Sequence, residues 1–274
     1  MVEQGLGRNP APDSEKAVYL GRYALAAEEI PEQPVPVVLG TSWYRSMFNP
    51  DIDENGVGWI KSVSGGIVGG HAYTLKPPTM TDLPGAHRHY DQGATSQCVG
   101  FSRSRASSLV DGRLFDGASL YRRAQILDEW SGEEPAYQGT SVNAGCQVAA
   151  KEGLWLVRGG RVSKSPGERW KIGRYWWATD VATVVAALHA DINLGYVEIL
   201  NSWGTSAPHI TRMTLEVLER LLVDEDGDAS IVVNASRVVG VEREAPVRAR
   251  SITVGEGNTA APPRMREGEH VDHH

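Results

Sequence analysis

Helix-like segments occupy the middle of this chain and strand-like segments lie on both sides of them, and that order restricts what it can fold into. Between Cys98 and Glu152 three stretches carry apolar residues at helical spacing. They are Cys98 to Val110 (Val99, Ala106, Leu109, Val110), Ser119 to Trp130 (Leu120, Ala124, Ile126, Leu127) and Ser141 to Glu152 (Val142, Val148, Ala149). Ahead of them Val35–Gly40 reads as a buried β-branched strand, followed by a turn from Thr41 to Phe48 into Asn49-Pro50-Asp51. Gly65–Leu75 reads as a second strand, with His71 and Tyr73 on one face by period two. After the helices come a helix over Asp180–Ala190 capped by Asp180, a strand over Tyr196–Leu200, an amphipathic helix over Thr214–Val223 and a strand over Ser230–Val233. The pattern predicts an α+β protein with a helical lobe, a β lobe and a cleft between them.

Three short segments carry residues suited to nucleophilic chemistry. In Asp91-Gln92-Gly93-Ala94-Thr95-Ser96-Gln97-Cys98 a Gln precedes a Cys by six residues, and that Cys opens a predicted helix. This spacing allows a side-chain amide and a backbone N–H to surround one oxyanion beside a nucleophilic sulfur. A thiol at a helix N-terminus also gains from the helix dipole. Gly69-Gly70-His71-Ala72 offers a base, and its glycines imply close approach to that backbone. Asn201-Ser202-Trp203-Gly204 follows an apolar strand and offers an orienting amide with an adjacent indole.

These segments resemble the papain-like cysteine peptidases. The resemblance covers roughly residues 30 to 235. It extends to Val37-Val38-Leu39-Gly40-Thr41-Ser42-Trp43-Tyr44, to Gln138-Gly139-Thr140-Ser141-Val142 with Gly145, and to Lys151-Glu152-Gly153-Leu154, which look like papain-like proteins from bacteria and phages. It implies Cys98 as nucleophile, His71 as base and acid, and Asn201 accepting the His71 Nδ1 proton under cover of Trp203. Gln92 and the Cys98 N–H would hold the oxyanion, with Gly69, Gly70 and Trp203 at the substrate. In papain-like sites the thiol falls from about 8.5 to roughly 3–4. The implied fold has two lobes, the helical one around residues 92–155 and an antiparallel β-barrel-like one from 35–76 plus 170–240.

Several features depart from that pattern. The family order is Cys, His, Asn, whereas here the His segment is relocated ahead of the Cys segment, a permuted order. Val99 stands where the family usually has Trp, and Gln97 where it often has Ser. The second Trp-Gly expected after Asn201-Ser202-Trp203-Gly204 is replaced by Ala207-Pro208. A triad is defined by geometry rather than chain order. Three readings stay open: an active thiol hydrolase of peptide or amide bonds, an inactive papain-like scaffold that binds or builds, and a strand-exchanged homo-oligomer in which His71 serves a neighbouring chain's Cys98.

Composition narrows the partners. The net charge of −7 argues against nucleic acid or an anionic membrane surface as the main partner. No window approaches the roughly eighteen apolar residues of a membrane span. Met1 to Arg8 lacks the apolar core of a secretory signal. Two cysteines, Cys98 and Cys146, form no disulfide framework, so a reducing, cytoplasmic (or phage-associated) setting is expected. A peptide or protein substrate is expected, with no cofactor. Asp51-Ile52-Asp53-Glu54-Asn55-Gly56 begins like a calcium loop, but its twelfth position is Ser62 where a bidentate Glu is needed, so it reads as an acidic turn. Asp224 to Asp228 reads as a solvated turn, and no Cys/His set has zinc-ligand spacing. Residues 1–34 read as an N-terminal arm, 35–240 as the catalytic domain and 241–274 as a disordered tail.

Overall fold

A computed structural model describes residues 31–82, 89–132, 138–163 and 169–237; the expected tail and most of the expected arm lie outside the described residues. The strands in chain order are β1 (Val37–Tyr44), β2 (Asp51–Ile52), β3 (Gly58–Ile60), β4 (Ile67–Lys76), β5 (Val157–Arg158), β6 (Arg161–Val162), β7 (Trp170–Trp177), β8 (Tyr196–Leu200), β9 (Thr211–Thr214) and β10 (Asp228–Arg237). Eight of them form one sheet in the order β2-β3-β9-β8-β4-β1-β10-β7, while β5 and β6 make a separate hairpin. Every pairing is antiparallel except β3 with β9.

The helices are α1 (Cys98–Asp111), α2 (Gly117–Leu127), α3 (Val142–Lys151), α4 (Val181–Leu188) and α5 (Leu215–Glu219). They cover both faces of the sheet, because side chains alternate along β1. Val37 and Leu39 join Tyr73, Leu75, Ile199 and Ile231 in a core closed by Val184, Leu188, Leu218 and Leu221. Val38 points the other way, with Ala72 and Trp177, against Val99, Ala106, Val142 and Cys146 of α1 and α3. A third cluster joins α2, α3 and β7 through Leu120, Val148, Trp170 and Ile172. The chain is thus a mixed α+β protein.

Local chemistry explains the helix ends. Asp116, Ser141 and Asp180 cap α2, α3 and α4 by accepting from Ser119 N–H, Ala144 N–H and Thr183 N–H at 3.1, 3.0 and 2.7 Å. Helix α1 starts without any side-chain cap and is closed by Gly112, whose φ of 74° lies in the left-handed region that favours glycine. Helices α1 and α2 approach closely at Gly100, where an added Cβ would stand 2.2 Å from the Gly117 carbonyl oxygen.

Two expectations need correction, and the acidic turn finds its place. β1 continues to Tyr44 instead of turning at Thr41, because it pairs with β4 as far as Ile67. The helix expected over Thr214–Val223 is α-helical only over Leu215–Glu219 and continues as a π-helical turn, Arg220–Asp224. The calcium-like segment is the β2–β3 hairpin, where Asp53 accepts from Asn55 N–H, Val57 N–H and Trp59 Nε1–H, each at 2.9 Å. Those bonds hold the Asp53 carboxyl below its ordinary range, with the Trp59 bond first among the causes.

Candidate active site

β4 and β8 are neighbours, and their register decides which residues meet. Thr74 pairs with Leu200, so the chain leaving β8 delivers Asn201 beside the strand that carries His71. His71 Nε2 and Asn201 Oδ1 stand 3.1 Å apart. The expected atom was Nδ1; the partner is instead the far ring nitrogen, Nε2. An Nε2–H donated to the Asn201 carbonyl leaves the Nδ1 lone pair free in the neutral ring.

Cys98 is the first residue of α1 and is half-buried. Backbone N–H groups of Ala72, Val99 and Cys98 itself face its sulfur. The Ala72 contact puts the thiol beside the residue that follows His71. The Val99 and Cys98 N–H groups belong to the uncapped end of α1, where the first N–H groups lack intrahelical partners. Burial nevertheless dominates: it pushes the Cys98 thiol above its ordinary range, and the three N–H groups oppose it only in part. Burial likewise brings His71 down to about 4, with the Asn201 hydrogen bond acting in the opposite direction. The expectation of a thiol near 3–4 is therefore not met in the resting protein, where burial keeps both the Cys98 thiol and the His71 imidazole neutral at neutral pH.

The loop before Cys98 is fastened at several points. Gln92 N–H donates to Ser202 O at 2.9 Å, Gly204 N–H donates to Tyr90 O at 3.0 Å, and Asp91 bridges to Trp203. These bonds tie the Gln92 loop to the Asn201 loop. Tyr90 anchors the start of the loop, its hydroxyl meeting Ser108 Oγ at 2.7 Å and accepting from Phe115 N–H at 3.1 Å. The Gln92 side chain is placed differently from the expectation. Its Nε2 donates to Thr95 O at 2.8 Å within its own loop, and Oε1 is buried without a partner among the described residues. Among the described residues the other N–H of that amide has no partner.

Aromatic rings enclose His71. Trp203 stacks on it with centroids 4.9 Å apart and planes 25° apart. Trp43 stands edge-on to it at 4.7 Å and 70°, and Tyr73 lies at 6.0 Å. Phe48 stacks on the outer side of Trp203 at 5.8 Å and 20°. Trp43 and Phe48 escaped the sequence reading as site residues; period two from Thr41 is the signal that could have placed Trp43 on the face of His71, whereas Phe48 lies beyond β1 in the 3-10 turn Arg45–Phe48. Gly69 and Gly70 sit on the exposed half of β4, and a Cβ at either would meet nothing within 4 Å. That open backbone is where the sequence implied close approach.

Some titratable groups lie apart from this centre. His209 and Arg105 both reach the Asp82 carboxylate, at 2.5 and 3.0 Å, and His89 packs against His209 at 4.8 Å. Cys146 is buried, not disulfide-bonded, and accepts from Arg103 Nη2 at 2.8 Å. His87 falls outside the described residues. Among the described residues no group of three or more His, Cys, Asp or Glu side chains is placed to hold a metal ion, and no helix is long and apolar enough to cross a membrane.

No family model matches the chain, and no curated protein matches its sequence. Two crystal structures of the Amb a 11 cysteine protease, a major ragweed pollen allergen, in its proform, are similar to it at 13% identity, with TM-scores of 0.39 and 0.38. Each match covers 57% of this chain and 63% or 62% of the other, so it spans less than two thirds of that protein's length.

Proposed function

We propose that the protein is a papain-like thiol hydrolase, of bacterial or phage type and permuted segment order, that cleaves peptide or amide bonds through Cys98, His71 and Asn201. One observation carries the reading: the Cys98 sulfur faces the Ala72 N–H while the preceding residue, His71, is held by Asn201 at 3.1 Å. Segments 69–72, 98 and 201 thereby share one centre despite the order His, Cys, Asn. In this reading all three act within one chain.

The chemistry follows from the hydrogen-bond pattern. As Cys98 attacks the substrate carbonyl carbon, its S–H proton passes to His71 Nδ1 and a C–S bond forms. Negative charge develops on the carbonyl oxygen, where the Cys98 N–H and the free N–H of Gln92 stabilise it. Collapse breaks the C–N bond, and His71 returns the proton to the leaving amine. Water then attacks the thioester carbonyl as His71 takes one of its protons; the C–S bond breaks, the acid leaves, and His71 returns that proton to the Cys98 sulfur. Asn201 keeps Nε2 protonated throughout, and Trp203 shields that bond from solvent. The exposed half of β4, at Gly69 and Gly70, receives the extended substrate backbone.

An inactive papain-like scaffold is the second reading, favoured by the neutral Cys98–His71 pair and by the engagement of Gln92 with Thr95. A mixed fluorogenic peptide library separates the two. Hydrolysis that disappears in Cys98→Ala supports the enzyme; equal signals from wild type and Cys98→Ala overturn it.

A further inference from the structure

We infer that Trp43 is a positioning residue for His71, fixing the plane of the imidazole from β1, the strand that pairs with β4. This rests on the hydrolase reading above for its functional consequence, but its geometric basis is independent. In the β1–β4 register Thr41 pairs with His71 and Trp43 pairs with Gly69. Trp43 and His71 are thus diagonal neighbours on one sheet face, a separation that a long aromatic ring spans. The residue directly opposite Trp43 is a glycine, so no side chain competes for that space.

The rings form an ordered set. Phe48, Trp203 and His71 are stacked nearly parallel, at 20° and 25° between neighbours. Trp43 stands across all three, at 78° to Phe48, 85° to Trp203 and 70° to His71, with centroids 6.2, 5.5 and 4.7 Å away. Asn201 fixes one ring nitrogen, yet a single hydrogen bond leaves the ring free to pivot about it. Trp203 blocks the tilt on one face, and Trp43 blocks the sideways swing. Together they aim Nδ1, the nitrogen that takes the thiol proton. Trp43 is 2% exposed, and its Nε1–H is buried without a partner among the described residues. Burying an unpaired N–H is unfavourable, so simple core filling would be served better by Phe. The extent of the indole against His71 accounts for Trp at this place. The titratable groups around His71 are Tyr73 on its own strand and Cys98 at the start of α1; Thr41 on β1 and Asn201 after β8 are neutral.

The test uses the full chain as wild type, Trp43→Phe, Trp43→Leu and His71→Ala. The His71 Cε1–H resonance is followed against pH, and Cys98 alkylation by iodoacetamide is timed in the same samples. Trp43→Leu is expected to raise the His71 midpoint toward its ordinary value and to slow Cys98 alkylation by roughly 10- to 10²-fold. Trp43→Phe, which keeps a ring and the fold, is expected to give a smaller shift in the same direction, and it carries the test if Trp43→Leu does not fold. An unchanged midpoint in the folded Trp43 variants overturns the inference. Equal alkylation of wild type and His71→Ala overturns the hydrolase reading instead, and the midpoint alone then decides the role of Trp43.

Discussion

Asn201 Oδ1 meets His71 at Nε2, 3.1 Å away, so the ring nitrogen nearer the backbone is the one left for proton exchange. This relationship sets the tautomer and divides the labour of the two nitrogens. Asn201→Ala removes the acceptor and lets the ring turn. Its kcat is expected to fall by at most the roughly 10²–10⁴-fold that a positioned acid–base contributes, with little change in KM. Steady-state kinetics on one peptide substrate check it, and a loss confined to KM would contradict the role.

Stability should carry the signature of buried, neutral His71. Its folded value of about 4 lies below the ordinary 6.5, so between those values the unfolded chain binds more protons. Stability is therefore full above about pH 6.5 and declines as the pH falls toward 4, by up to about 3 kcal/mol from this residue. Urea unfolding at several pH values, on wild type and His71→Gln, should show a steeper acid loss in wild type. Parallel curves would contradict it.

The junction of the two site loops depends on Gly204. Its φ is +63°, and a Cβ there would stand 2.7 Å from Asp91 Oδ2. Gly204→Ala is expected to cost about 1–3 kcal/mol from strain alone and to loosen the loop that carries Gln92. Thermal unfolding and hydrogen exchange at Gln92 N–H read both effects. Unchanged protection at Gln92 would show that the two loops are not coupled.

Gly70 offers the opposite case. A Cβ there meets nothing within 4 Å, so Gly70→Val should leave the melting temperature within a few degrees of wild type. If substrate lies along the exposed half of β4, the same change raises KM. An unchanged KM would move the substrate elsewhere.

The legible and illegible parts of this protein differ in range. The start of α1 at Cys98, the Asp180 cap and the extent of β8 are fixed by residues within a few positions of one another, and each was readable. Helix α1 gave only a loose stripe because it is buried nearly all round, with Ser102, Arg103, Ser104, Arg105, Ser107 and Ser108 inside. Arg103 is tolerated there through Cys146 and Ser230, partners 43 and 127 residues away that no local pattern announces. The Trp43 wall was hidden for the same reason, since it touches His71 only through the β1–β4 register. The expected low thiol value failed because spacing reveals the helix end but not the burial that outweighs it. The Gln92–Thr95 bond is a matter of rotamer, which sequence leaves open.

The central claim is that Cys98 and His71 work as a pair, and brief exposure to a peptidyl epoxide followed by mass spectrometry tests it most directly. The account predicts a rapid adduct on Cys98 alone in the wild type, greatly slowed in His71→Ala. Equal, slow labelling of both proteins would contradict it and leave a papain-like scaffold without the chemistry.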